Sequence, residues 1–514
     1  MLEQTCSHFA SREVLFDGQN RVTYGALFEQ VKVMASALQQ SDIGVGDKVG
    51  VSLPNWYEFV VISLAVGSIG ATLVPFNTRY RQDEVAYILS NSGAKMVFIS
   101  EQVDDVSNYD MFTAVKGYIP TLKRIIPVRF EVDSLESYDD FLVKGKNQAP
   151  NFPTLEPSDT VYAILYTSGT TGEPKGAMLT HSNVLFTSTM SGKALRCTEQ
   201  DVLLVPVPLF HVFGLVISLL FSIRFGMKMV LMERYKAEQA LQLIEAEKVT
   251  IHHGVPTNFI LELNHPNRKN YDLSSLRTGI IAAAPCPIEI VKRIRNELGC
   301  NILVSYGLSE TAAPITIGDW DDDDRLRSET VGKAMHDVSI KLVDDLNENV
   351  AIGQVGEIIT KGPGLMKGYY QKREETSKAI DHDGWFHTGD LGVFDESGYL
   401  RIIGRKKEMI IRGGYNIYPR EIEEVLYTHP SVLEVAIVGL PDTVLGEISC
   451  AAIRLKTNDV TIEALKEFLG NHIADYKVPD KIVILEDIPM TASGKIKKIE
   501  LQKLLEQQLQ AELR

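Results

Sequence analysis

Apolar positions in the first third of the chain fall into alternating helical and strand patterns. Leu27 to Leu38 carries them on one face of a helix, and Phe59 to Ile69 is apolar at nearly every step. Lys48-Val49-Gly50-Val51-Ser52-Leu53 ends at Pro54, and Ala71 to Pro75 and Met96 to Ile99 are equally short apolar runs. Runs of that length suit buried strands. Helix and strand units in alternation predict a mostly parallel sheet covered by helices. From Glu329 to Arg401 the pattern changes. Val338 to Val343, Gly356 to Lys361 and Tyr399 to Ile403 read as short strands between Gly-rich turns, a small β-rich subdomain. Residues 408 to 514 read as a compact α+β unit with a helix from Glu421 to Leu426. The fold class is therefore α/β and α+β, large domain first and small domain last.

Three stretches stand outside this rhythm. Val212 to Ile223 is the longest apolar run, but it contains Gly214 and stops at Arg224. A bilayer span takes about 20 residues, so a buried helix is expected. Gln148 to Ser158 holds three prolines and reads as a connector. Trp320-Asp321-Asp322-Asp323-Asp324 is a run of like charge, expected to be a solvated loop.

Composition narrows the function classes. The chain has 514 residues, 45% hydrophobic and 23% charged, an ordinary globular mixture with room for two to four domains or subdomains. A net charge of −15 argues against nucleic acid and anionic membranes as partners. Five cysteines, an odd number without C-x-x-C, suit a reducing cytosol and give neither a disulfide framework nor a zinc site. No basic segment precedes an apolar one at the N-terminus, so no signal peptide is read and a cytoplasmic protein is expected.

The densest candidate for chemistry is Tyr166-Thr167-Ser168-Gly169-Thr170-Thr171-Gly172-Glu173-Pro174-Lys175-Gly176. Apolar runs on both sides make it strand, loop, strand. Glycine lets backbone approach a ligand closely, and successive N–H groups in such a turn form an anion-binding concavity. The hydroxyls add donors and Lys175 a cation. A polar surface loop has the same composition. A Walker loop needs Ser or Thr directly after its lysine, and Gly176 stands there instead.

This stretch resembles the nucleotide loop of the adenylate-forming superfamily: acyl-CoA synthetases, firefly-type luciferases and peptide-synthetase adenylation domains. The chain is most like a fatty acyl-CoA synthetase. Further motifs follow in the family's order. Val304-Ser305-Tyr306-Gly307-Leu308-Ser309-Glu310-Thr311 is the second, and Gly384-Trp385-Phe386-His387-Thr388-Gly389-Asp390 the third. Gly404-Arg405-Lys406-Lys407, Arg412-Gly413-Gly414-Tyr415 and Thr491-Ala492-Ser493-Gly494-Lys495 complete the set. The match covers nearly the whole chain.

The resemblance implies a set of roles. Thr167, Ser168, Gly169, Thr170, Thr171, Gly172 and Lys175 would hold the ATP phosphates. Ala283, Ala284 and Pro285, with Tyr306 and Gly307, would border the adenine; the family often has glycine in the first of these runs. Thr311 would bond the α-phosphate, and Glu310 would carry Mg²⁺, since a carboxylate beside phosphates needs a bridging cation. Asp390 and Arg405 would take the ribose, Lys407 would be the hinge, and Lys495 the catalytic lysine. Gly413, Gly414 and Tyr415 would line the path of CoA, although the family often has Glu where Tyr415 stands. His211 would wall the carboxylate end of an acyl pocket that includes Val212, Gly214, Val255, Gly307, Leu308, Ala312, Ala313 and Pro314. The domains implied are 1–403, with the β-rich part at 329–403, a hinge at 404–408 and a mobile lid at 409–514. His252 and His253 are less usual for the family. Neighbours on a strand point to opposite faces, which speaks against a shared metal.

The implied activity is an ATP-dependent carboxylic acid–CoA ligase passing through acyl-AMP. The apolar pocket favours medium- or long-chain fatty acids; an aromatic or alicyclic acid is the second reading. A carrier-protein-loading adenylase would ignore free CoA, and a nucleotide-binding scaffold would not need Glu310, Asp390 and Lys495 together. The expected partners are the acid, ATP and CoA, and a homodimer is left open.

Overall fold

The computed structural model describes residues 1–512 apart from 104–105, 168–172, 285, 287, 457–459 and 491–495. Two large sheets form the N-terminal domain. One runs, in spatial order, Lys333–Ala334, Ala313–Ile317, Asn301–Leu308, Thr278–Ile281, Ile251–His252, Val202–Val205, Lys228–Leu231, Glu13–Phe16 and Arg21–Thr23. The other runs Lys175–Thr180, Val161–Thr167, Thr72–Pro75, Lys48–Ser52, Met96–Ile99 and Arg124–Pro127. Their interiors are parallel, and antiparallel pairs stand at the edges. Thr72–Pro75 and Met96–Ile99 are buried at every residue, as strands covered on both faces must be.

Two predicted helices differ in kind. Tyr24–Gln39 is amphipathic, and the Thr23 side chain caps it by accepting the Ala26 N–H at 3.2 Å. Tyr57–Ser68 is buried from Phe59 to Gly67, so its lack of a polar face reflects a place inside the core.

The apolar run after His211 is buried but is not one regular helix. It is α-helical over Val212–Gly214, π-helical over Leu215–Leu220 and α-helical again over Phe221–Phe225. No helix among the described residues is long and apolar enough to cross a membrane.

The acidic run at 320–324 is only in part the solvated loop expected from its charge: Asp321 and Asp323 are exposed, but Asp322 is buried, where it accepts the Asp319 N–H at 2.7 Å and the Tyr399 hydroxyl. Asp323 caps the helix Asp324–Glu329, and the carbonyl of Trp320 accepts from the buried Arg327. Satisfied carboxylates can be buried where a bare charge could not.

An antiparallel sheet, Ser339–Val343, Gly356–Lys361, Phe386–Phe394 and Leu400–Arg405, follows the large sheets. The C-terminal domain has its own sheet of Tyr415–Ile417, Ile410–Arg412, Gly446–Leu455, Val432–Asp442 and Lys481–Ile484, with the helices Pro419–Tyr427, Ile462–Gly470 and Lys498–Glu512.

Candidate active site

The parallel strands Val202–Val205, Ile251–His252, Thr278–Ile281 and Asn301–Leu308 are neighbours in one sheet. The segments that leave their C-terminal ends carry His211 and Val212, Gly254 and Val255, Ala282 to Ala284, and Glu310 to Pro314. In open α/β sheets ligands bind outside the carboxyl ends of the strands. The fold thus gathers four separate motifs along one edge.

Backbone geometry marks this edge. Ala283 has φ 73°, Ala312 φ 54° and Ala313 φ 95°, a left-handed region that costs a residue with a Cβ about 1–2 kcal/mol. At Gly307 a Cβ would stand 2.1 Å from the Ala313 carbonyl oxygen, so the two strands can approach only with glycine there. Thr311 Oγ1 donates to the Ala313 carbonyl at 2.7 Å and accepts the Leu308 N–H at 3.0 Å, which pins the turn.

Two clusters form on it. In the first, the Tyr306 hydroxyl donates to Asp390 Oδ2 at 2.6 Å, and Arg405 Nε lies 3.5 Å from Asp390 Oδ1. Asp390 and Arg405 are cross-strand partners in the small sheet, so their register holds them together. Burial, then the Asp390 charge, pushes the Tyr306 phenol well above its ordinary pKa and keeps it a donor.

The second cluster surrounds Glu310, which is buried. Its Oε1 accepts the Tyr369 hydroxyl at 2.9 Å and lies 3.4 Å from Thr167 Oγ1. Thr167 closes the strand that leads into 168–172, so Glu310 joins the two large sheets. Tyr369 belongs to a segment zipped onto Lys175–Thr180, where the Lys367 N–H meets the Met178 carbonyl at 2.9 Å and the Tyr370 N–H the Gly176 carbonyl at 2.8 Å. Lys175 lies 5.3 Å from the Tyr369 ring centroid and forms an ion pair with Glu375. Lys175 holds the Glu375 carboxyl below its ordinary pKa range. Sequence reasoning missed Tyr369 and Glu375, because neither lies in a strand or motif whose pattern points at residue 310. Among the described residues no group of three or more His, Cys, Asp or Glu could hold a metal by itself, so an ion on Glu310 would need oxygens from substrate phosphates to complete its shell.

Residues 2–370 match the family described as AMP-binding enzyme, and residues 421–495 match the AMP-binding enzyme C-terminal domain. The chain belongs to the AMP-binding enzyme family. YngI of Bacillus subtilis (strain 168) is 39% identical over 98% of this chain and 95% of its own. The mitochondrial medium-chain acyl-CoA ligase ACSF2 of Macaca fascicularis is 33% identical over 99% of this chain and 87% of its own. The solved anthranilate CoA ligase AuaEII, in complex with anthranoyl-AMP, superposes with a TM-score of 0.90 at 25% identity, covering 98% of this chain and 96% of that one. This family member is an AMP-forming acid–CoA ligase, with ATP and CoA as substrates.

The ligase's apolar side is less tightly drawn. His211 accepts the Phe213 N–H on Nδ1 at 3.3 Å and so caps the short helix after it. Val212, Ala312 and Ala313 belong to the main hydrophobic cluster, and Leu308 packs against it. Gly214 has a packing reason to be glycine, since a Cβ would stand 2.1 Å from the Pro208 carbonyl oxygen. The paired histidines diverge. Nε2 of His252 lies 2.9 and 3.0 Å from the carboxylate oxygens of Glu262. His253 accepts the Ile280 N–H at 3.1 Å and stacks on Phe213, and burial pushes its pKa down to about 3.

In the C-terminal domain Gly413 and Gly414 form an exposed left-handed turn with φ 56° and 87°. Tyr415 is stacked on Tyr476 with ring centroids 4.8 Å apart. Lys407 lies in the turn Lys406–Glu408, which links the strands Leu400–Arg405 and Ile410–Arg412. Ser168, Gly169, Thr170, Thr171, Gly172, Pro285 and Lys495 lie outside the described residues.

Proposed function

We propose that this ligase activates medium- or long-chain fatty acids. The substrate carboxylate attacks the α-phosphorus of ATP, giving acyl-AMP and pyrophosphate. The CoA thiol then attacks the acyl carbon, a thioester forms and AMP leaves. Positioning and charge stabilisation carry the catalysis.

The observation that carries the reading is that the short stretch from Tyr306 to Glu310 bears two clusters, Tyr306 with Asp390 and Arg405, and Glu310 with Thr167. Asp390 and Arg405 take the ribose, with Tyr306 beside the adenine between Ala283, Ala284 and Pro285. Residues 167–172 and Lys175 take the β- and γ-phosphates, and Thr311 the α-phosphate. Glu310 would hold Mg²⁺, which when bound offsets charge on the phosphates. Lys495 neutralises charge between the carboxylate and the α-phosphate. We divide the chain at 404–408, with Lys407 as pivot of a lid over 409–514. The Gly413-Gly414 turn is exposed, and rotation of the lid would bring it to the pantetheine arm.

Two observations support the acyl class. The candidate lining, Val212, Val255, Leu308, Ala312, Ala313 and Pro314, is apolar, with His211 at its carboxylate end. A relative matched over 99% of this chain is named for medium-chain acids. The aromatic reading keeps support from the anthranilate CoA ligase likeness. All five cysteines are free, which fits a reducing, cytoplasmic setting.

The test is a panel of acids scored by CoA-dependent AMP release. Apparent affinity should climb with chain length, since each buried CH₂ is worth about 0.8 kcal/mol. A flat response from butyrate to dodecanoate with strong turnover of benzoate would favour the aromatic class. AMP release that ignores CoA would favour carrier loading.

A further inference from the structure

The pivot turn is held from both sides by charge. Lys406 Nζ lies 2.8 Å from Asp345 and 3.2 Å from Glu357, both on the N-terminal side. Two residues later, Glu408 Oε2 lies 3.1 Å from Nζ of Lys498 in the last helix. Lys498 also lies 2.9 Å from Oε1 of Glu423, which accepts the Ile437 N–H at 2.8 Å. Burial opposes the charge on Lys498, but the two carboxylates outweigh it, and its pKa stands above the ordinary lysine value.

Glu408 has a second cation within reach. Arg405 Nε lies 3.8 Å from Glu408 Oε1 and 3.5 Å from Asp390 Oδ1. One guanidinium is therefore shared between the candidate ribose carboxylate and a carboxylate of the pivot. How the sharing falls depends on what else neutralises Glu408, and Lys498 supplies that charge.

We infer that Lys498 is a positioning residue for the nucleotide: by holding Glu408 it leaves Arg405 to Asp390. This rests on the reading of Asp390 and Arg405 as the ribose site. Without Lys498 the full charge of Glu408 competes for Arg405 and draws it off Asp390. A residue of the last helix thus acts on the nucleotide through two intervening side chains. A chain Tyr306–Asp390–Arg405–Glu408–Lys498–Glu423 links the adenine side to the C-terminal sheet.

The experiment measures AMP affinity by calorimetry, and KM for ATP, in the full chain. Lys498→Met should weaken AMP binding and raise KM for ATP at least fivefold, while Lys498→Arg stays within twofold of the unchanged protein. Glu408→Gln alone should stay within twofold as well. The double variant Lys498→Met/Glu408→Gln should recover to within twofold, because the competitor is gone. Loss through misfolding would not be repaired by Glu408→Gln. Lys498→Gln is carried in parallel as the milder variant should Lys498→Met not fold. Unchanged AMP affinity in the Lys498 variants, or a double variant no better than the single, overturns the proposal. Asp390→Ala separates the two layers. If it leaves AMP affinity unchanged, the ribose reading itself fails; if it weakens AMP while Lys498→Met does not, only the role of Lys498 fails.

Discussion

The two ends of the candidate nucleotide site are built on opposite plans. At the ribose end a carboxylate and a guanidinium stand in register on paired strands, and Tyr306 bonds the same carboxylate. At the proposed phosphate end Lys175 pairs with Glu375, and Lys372 with Glu173 at 3.0 Å, partners brought in from distant parts of the chain. The difference follows the ligand's chemistry. Ribose hydroxyls are neutral donors, and a fixed carboxylate can wait for them at little cost. A polyphosphate is a strong anion, and we propose that in a protein of net charge −15 it would compete with these carboxylates for Lys175.

The largest expected effect tests whether the phosphate end serves only one half of the cycle. Lys495→Ala should lower acyl-AMP formation from acid and ATP by roughly 10²–10³, the cost of losing one preorganised group at a developing charge. Thioester formation from supplied acyl-AMP and CoA should be largely spared. Equal loss in both assays would mean one static site. Asp390→Ala comes next and should depress both half-reactions, since AMP stays bound through both. Removing a charged hydrogen-bond partner costs about 1.5–3 kcal/mol. Normal ATP dependence with normal turnover would remove Asp390 from the ribose site.

The smallest effect is expected at Glu375. If this carboxylate stands in for phosphate, Glu375→Gln should lower KM for ATP, most at low salt and less as salt screens the charges. KM for the acid should not move. An unchanged or higher KM for ATP would make the Lys175–Glu375 pair an ordinary surface contact.

The candidate site was named from contiguous motifs. A loop with three glycines and four Ser or Thr side chains in eleven positions between apolar runs suits an anion, but a polar surface loop has the same composition, and the family resemblance made the choice. Asp390 and Glu310 were named in the same way, each inside a contiguous motif that resembles the family's. The helix Tyr57–Ser68 and the strand Met96–Ile99 follow from apolar runs of the right length.

What the tertiary structure alone decided are the meetings between distant residues. Tyr369 on Glu310, Glu375 on Lys175 and Lys498 on Glu408 join positions 59, 200 and 90 apart (369−310, 375−175 and 498−408). No local periodicity encodes such pairs. The π-helical turn at Leu215–Leu220 and the burial of Asp322 are of the same kind. Each depends on what packs alongside: a core that sets the helix geometry, or a tyrosine 77 residues away that satisfies a carboxylate. Local chemistry determined which groups the chain offers as candidates for its site, and packing determined which of them hold one another.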